Sequence, residues 1–167
     1  MADFADELAL QIPRLRRYAR ALTHDAAWAD DLVQDTLERA LQRRWLFRFG
    51  TSITAWLLTM LYRLYLNEAP RHRITSVPLE DVAEPAAPGD PAQQIDLQRA
   101  LARLSPEHRA VIVLVGLEQL SYQEVAEMLN VPIGTVMSRL ARAREQMRKL
   151  LSEQPAAAGT SPLTRVK

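Results

Sequence analysis

Two stretches of the chain carry side chains suited to holding a polyanion. The first, Arg43-Arg44-Trp45-Leu46-Phe47-Arg48-Phe49-Gly50, interleaves arginines with aromatic rings. Unpaired bases stack on aromatic faces while guanidinium groups take phosphates, so this composition suits single-stranded nucleic acid. The second lies between Thr135 and Leu150, where Arg139, Arg142, Arg144, Arg148 and Lys149 stand against one acid, Glu145. There Gly134 and Ser138 are small enough for close approach to a groove, and Thr135 and Ser138 can donate to phosphates or base edges. A third cluster has the opposite sign: Asp31, Gln34, Asp35 and Glu38 recur at helical spacing, flanked by Asp30. It reads either as a solvated charged face or as a docking surface for a basic protein.

Catalytic chemistry is thinly supplied. The chain has no cysteine, which excludes thiolate nucleophiles, Cys-based zinc sites and disulfides. Its three histidines, His24, His72 and His108, are scattered, and there is no Gly-rich phosphate loop, nucleophile elbow or HExxH helix. No cofactor, no metal and no enzymatic activity are expected.

The elements that must position these residues are helical. Apolar residues recur at three and four, glycine is scarce, and no alternating strand pattern is visible. Helices are predicted at about 5–22, 26–43, 53–68, 92–103, 106–117, 122–129 and 133–151. Ser121-Tyr122-Gln123-Glu124 is a capping box opening a short helix, and Asn130-Val131-Pro132 breaks it before a longer one. This pair is a helix-turn-helix candidate. In the longer helix Val136, Leu140, Ala143, Met147 and Leu150 form the core stripe. Around residues 29–40 the core face is Ala29, Leu32, Val33, Thr36, Leu37 and Ala40, opposite the acids. The segment from Ile53 to Glu68 is apolar nearly all round, so Leu58, Tyr62, Tyr65 and Leu66 are either further packing or a stacking and partner-binding patch.

Length and composition fit such a chain. The 167 residues, 48% apolar and 25% charged, suffice for one domain or two small ones with real cores. Four prolines, Pro78, Pro85, Pro88 and Pro91, fall in a stretch whose surroundings, from Ile74 to Gln98, hold five acids and no base. The expected fold class is therefore all-α: an N-terminal helical unit over 1–73, a Pro/Ala/acidic linker over 74–91, a helix-turn-helix unit over 92–151 and a disordered tail over 152–167. The densest apolar run contains Arg63 and is too short to cross a bilayer, and the acidic start lacks the charge of a secretory signal, so a cytoplasmic protein without membrane insertion is expected. A net charge of +1 hides opposed surfaces rather than excluding nucleic acid.

The chain resembles a bacterial RNA polymerase sigma factor of the extracytoplasmic-function (ECF) type, a family built of sigma region two, a linker and sigma region four. The matching residues, in order, are Asp30-Asp31-Leu32-Val33-Gln34-Asp35-Thr36, Ala55-Trp56-Leu57, Leu104-Ser105-Pro106-Glu107-His108-Arg109, Ser121-Tyr122-Gln123-Glu124-Val125-Ala126, Gly134-Thr135-Val136 and Ser138-Arg139-Leu140. The resemblance implies that Asp31, Gln34, Asp35 and Glu38 grip the clamp helices of the largest subunit of RNA polymerase core. It implies that the loop with Phe47, Arg48, Phe49, Thr51 and Ser52 captures a base flipped from the promoter −10 element. Tyr62, Arg63, Asn67, Arg71 and Arg73 would meet the −10 duplex and its separated strands, and Thr135, Ser138, Arg139 and Arg142 would read the −35 element in the major groove. Catalysis would belong to the polymerase, and an anti-sigma factor clamping both domains is the further partner implied.

Three positions depart from the family pattern: Arg63 stands where asparagine is usual, Pro70 is expected to interrupt the helix, and Met137 stands where a base is common. They bear on −10 specificity and leave core binding untouched. Two other functions stay open at this level, a sigma-like decoy that sequesters an anti-sigma protein and a stand-alone helix-turn-helix regulator.

Overall fold

The computed structural model describes residues 3–75 and 91–153, which form helices and turns with no strand among them. Most of the expected linker and tail, residues 76–90 and 154–167, lie outside the described residues. Helix α1 (Phe4–Thr23) ends at His24, which takes the left-handed conformation at φ 53°, and Asp25 then caps α2 (Ala26–Gln42) by accepting from the Trp28 N–H at 3.0 Å. A single 3-10 turn, Arg44–Leu46, leads to the loop before α3 (Ile53–Thr75). Ser52 caps α3 by accepting from the Ala55 N–H at 3.2 Å.

Pro70 does not interrupt α3, contrary to the sequence expectation: the helix continues to Thr75. A proline inside a helix removes one N–H and crowds the preceding turn, a cost that tertiary contacts can offset. Here Trp28 stacks on His72 with centroids 3.8 Å apart, and its indole N–H donates to Glu68 Oε2 at 2.8 Å, fastening the turns on both sides of Pro70 to α2.

The C-terminal unit begins with α4 (Pro91–Arg103). Ser105 then caps α5 (Pro106–Ile112) by accepting from the His108 N–H, with Pro106 in the first turn. The continuous helix predicted at 106–117 instead loosens into a π-helical turn at Val113–Leu117. Helix α6 (Tyr122–Leu129) carries the complete capping box: Ser121 Oγ accepts from the Glu124 N–H, and Glu124 Oε2 accepts from the Ser121 N–H. Asn130 ends it in the left-handed conformation, and α7 (Ile133–Glu153) follows. Val136, Leu140, Ala143 and Met147 are buried, with Leu150 half-buried.

Helices α1, α2 and α3 pack on one another, and so do α5, α6 and α7. The two units also share a core. α1 lies against α4, α5 and the π-helical turn, and α3 lies against α6, so that one buried cluster runs from Leu8 and Leu15 to Val125 and Leu140. The all-round apolarity of α3 is explained by its three neighbours, α1, α2 and α6: Leu57, Leu61 and Leu64 are buried, and so are Leu58, Tyr62 and Tyr65, whereas Leu66 remains exposed.

Arg109 fixes the start of this shared core. Its guanidinium donates to the carbonyls of Leu101, Ala102 and Leu104 in its own unit and to that of Leu22 at the end of α1. His24, half-buried nearby, has its pKa lowered from 6.5 to about 4, first by loss of water and then by the Arg109 charge. The unfolded chain thus takes up this proton before the folded one. The stability His24 preserves is whole above pH 6.5 and is lost as pH falls toward 4, up to about 3 kcal/mol. Urea unfolding at pH 7.0 and 4.5 checks this: His24→Asn, which tolerates a left-handed backbone, should show a smaller pH loss than the wild type.

Candidate nucleic-acid interface

The acidic stripe lies on the outer face of α2. Asp31, Gln34 and Glu38 are exposed and Asp35 is half-buried, while Ala29, Leu32, Val33, Thr36 and Ala40 are buried beneath. Within the stripe Gln34 reaches Glu38 at 3.5 Å, and Asp30 sits 4.0 Å from Arg16. Such exposed contacts contribute little to stability.

In the loop before α3, the Thr51 N–H donates to the Arg48 carbonyl at 3.2 Å across Gly50, whose φ of 95° suits a glycine. Thr51 Oγ1 reinforces the turn with a 2.6 Å bond to the same carbonyl. Phe47 does not offer its ring to solvent: it is buried against Phe4 and Trp56, with centroids 5.9 and 5.3 Å away. It anchors the turn, and Phe49, 89% exposed, stands edge-on to it. Trp45, 76% exposed, is the other open ring, with Arg43, Arg44 and Arg48 exposed around it.

Arg63, Asn67 and Arg71 recur every four residues along the exposed side of α3 and form one stripe. Tyr62 is separated from them. It is buried at 6% exposure on the side facing the C-terminal unit. Its hydroxyl pKa is raised by burial and by Tyr65, and the Arg139 and Glu107 charges act on it in opposite directions. In this arrangement Tyr62 therefore presents no open face for DNA. The Arg73 side chain lies outside the described residues.

On α7, Ser138 and Arg142 are exposed and Thr135 is half-buried; Ser138 Oγ donates to the Thr135 carbonyl at 3.1 Å. Arg139 leans away from them toward Glu107, at 3.9 Å, with its side chain 24% exposed. Met137 and Ile133 add exposed apolar surface to the same helix. No group of three or more His, Cys, Asp or Glu able to hold a metal occurs among the described residues, and no described helix is long and apolar enough to cross a membrane.

Sequence reasoning missed Glu118. It is fully buried and joins Arg14 and Arg17 of α1 across the two units. Its signal was a lone charge in the run from Val111 to Leu120, which is apolar but for Gly116 and Gln119.

Comparison with known proteins matches residues 94–147 to the family described as Sigma-70, region 4, and residues 8–62 to the Sigma2 domain of PhyR. The ECF RNA polymerase sigma factor EcfG of Rhodopseudomonas palustris is 32% identical, covering 87% of this chain and 83% of that protein. The ECF RNA polymerase sigma factor SigM of Mycobacterium tuberculosis is 37% identical, covering 83% and 71%. Among solved structures, that of the sigma factor RpoE in complex with the anti-sigma factor NepR from Bartonella quintana matches at 35% identity and a TM-score of 0.79, covering 93% of this chain and all of that one.

Proposed function

The chain belongs to the ECF family of RNA polymerase sigma factors, and on that footing we propose how it takes polymerase core to promoters and helps open them. One observation carries the proposal: an acidic helix face, an arginine-aromatic loop and a helix-turn-helix with a basic outer face sit on separate elements of one chain. The α2 acids Asp31, Gln34, Asp35 and Glu38 dock on the clamp helices of the polymerase's largest subunit. Region four, over 92–151, sets Thr135, Ser138, Arg139 and Arg142 of α7 into the major groove at −35. Region two, over 1–73, meets −10 through the Arg63, Asn67, Arg71 stripe and the Arg48–Ser52 loop, where a flipped base is held at the top of α3. Unstacking that base costs a few kcal/mol, which pocket contacts offset. The polymerase supplies the chemistry, in the cytoplasm. An anti-sigma factor controls the protein by binding both regions; its relative RpoE forms a complex with the anti-sigma factor NepR.

Trp45 extends the loop's role. Its open ring among three arginines offers one more stacking surface for the melted strand, and stacking is worth about 1–3 kcal/mol per base. Trp45→Ala should slow promoter opening roughly tenfold, with Trp45→Phe close to wild type, as read by permanganate reactivity of the bubble. Equal opening by both variants would remove Trp45 from the strand's path.

The broader test mixes the purified chain with core polymerase and a promoter library. Transcripts that depend on the chain support initiation. Their absence, with tight capture of an anti-sigma protein, would favour the decoy. DNA binding without core dependence would favour a stand-alone regulator.

A further inference from the structure

The first two turns of α7 carry few polar groups to their outer surface. Ile133 and Met137 are 41% and 48% exposed, Gly134, Ser138 and Ala141 are exposed around them, and Val136 and Leu140 lie buried beneath. Two of the side chains suited to hydrogen-bond readout on this helix are already engaged: Ser138 Oγ donates to the Thr135 carbonyl at 3.1 Å, and Arg139 is drawn to Glu107 at 3.9 Å.

Met137 has a different setting. Its neighbours three and four residues away are Ile133, Gly134, Leu140 and Ala141, none of which has a charge or a hydrogen-bonding side chain. The space beside Gly134 is open, since a Cβ there would meet no heavy atom within 4 Å. With Gly134, Ser138 and Ala141 all small, Met137 is the long side chain standing above this part of the surface. Ile133 backs it from the hollow between α6 and α7. The core does not need it, because Val136, Leu140, Ala143 and Met147 already form the buried stripe.

Charge on the same helix indicates what covers this side chain. Further along its exposed face stand Arg142, Arg144, Arg148 and Lys149 against the single acid Glu145, an excess that suits the phosphates bordering a groove better than an apolar protein surface. In the major groove the apolar group that a base pair offers is the thymine C5-methyl. Methionine fits that group. Its chain is unbranched and flexible, and its thioether is only a weak acceptor, so it packs on a methyl without hydrogen-bonding a base edge strongly.

We propose that Met137 is a specificity-determining residue that reads a thymine methyl in the −35 element, where a lysine or arginine at this position would instead hold a phosphate. The assignment to −35 rests on the sigma-factor reading; the methyl contact follows from the surface of α7. One such contact is worth about fourfold in affinity, the value of one apolar carbon removed from water.

The test uses the full chain with core polymerase. Promoter duplexes selected from a library randomised at −35 are remade with each −35 thymine, on either strand, replaced in turn by deoxyuridine. This removes the methyl and leaves every hydrogen-bonding group in place. At one position the replacement should weaken wild-type binding about fourfold. Met137→Ala should lose about as much on the thymine duplex and nothing further on the deoxyuridine one, whereas Met137→Leu should keep most of the methyl response. Met137→Lys should bind every duplex more tightly at low salt, steepen the salt dependence by about one phosphate and lose the methyl response. Alanine, leucine and lysine are all good helix formers at an exposed position, so the fold is retained.

A selected element without thymine, or no deoxyuridine penalty at any thymine, overturns the inference. So does a penalty equal in wild type and Met137→Ala, or a Met137→Ala loss that is the same on every duplex, which would make the side chain a protein contact. If transcripts start at the selected promoters without a methyl response, the initiation reading stands and this inference falls. If the chain binds a selected duplex with the methyl response yet directs no transcript, the inference stands and initiation falls.

Discussion

Arg109→Ala should lower the stability of the whole chain by about 3–5 kcal/mol, a fall in melting temperature of roughly 10 °C. The side chain is 8% exposed and donates to four carbonyls, those of Leu101, Ala102, Leu104 and Leu22. The first three lie at the end of α4 and the turn after it, and the last at the C-terminal end of α1, where helix carbonyls have no intrahelical partner. No carboxylate pairs with Arg109 among the described residues; loss of water lowers its pKa, yet guanidinium remains charged at any ordinary pH. The four carbonyl dipoles hold that charge, and its removal leaves them without their donor. Arg109→Lys should recover less than half of the loss, because one ammonium cannot reproduce the planar fork that reaches separate carbonyls. His108→Ala, on the neighbouring half-buried residue, provides the comparison and should cost under about 1 kcal/mol. Thermal melts of the three variants decide the matter. A fall under about 1 kcal/mol for Arg109→Ala would mean that water replaces the guanidinium at all four positions.

Arg109 also shows what was legible in the sequence and what was not. The Leu104-Ser105-Pro106-Glu107-His108-Arg109 run was readable as a family signature and as a cap, since Ser105 and Pro106 act locally. The arginine's purpose was not readable, because one of its four acceptors lies 87 residues away. The capping box at Ser121 and the core stripe of α7 were likewise visible, each depending on residues within one helix. Pro70 misled because its local rule is correct but was overridden by Trp28, forty residues earlier in the chain from Glu68. Phe47 and Tyr62 were visible as aromatic, and their types suited stacking. Only the tertiary arrangement shows that one anchors a loop and the other lies under the second unit. Trp45 and Phe49 share the same local composition and remain open. Composition thus marks the loop, and packing decides the exposure of each ring in it.

Asp35→Arg should weaken binding to polymerase core by about a hundredfold or more while leaving the fold as stable as before. The stability half of this expectation follows from the helix itself. Asp35 lies four residues after Asp31, a like charge, and four before Arg39, an opposite one, so reversal exchanges one repulsive pair for another at a few tenths of a kcal/mol each. Neither the Asp31 nor the Asp35 side chain makes a hydrogen bond or ion pair among the described residues, and the packed face of α2 lies beneath them. A stripe kept only for solvation would therefore tolerate the change in every assay. The binding half follows from desolvation: the charge gains value only when a basic partner covers it, and a like charge placed at that contact costs several kcal/mol. Half-buried Asp35 is the more enclosed of the pair, and Asp31 is exposed. Asp31→Arg should thus lose about tenfold at low salt and much less above 0.15 M, where screening acts within about 8 Å, while the Asp35→Arg defect should persist. Core affinities of the two variants at low and high salt test the order as well as the size. Equal, salt-erased defects would make the stripe a steering field, and wild-type affinity in both would make it a solvated face.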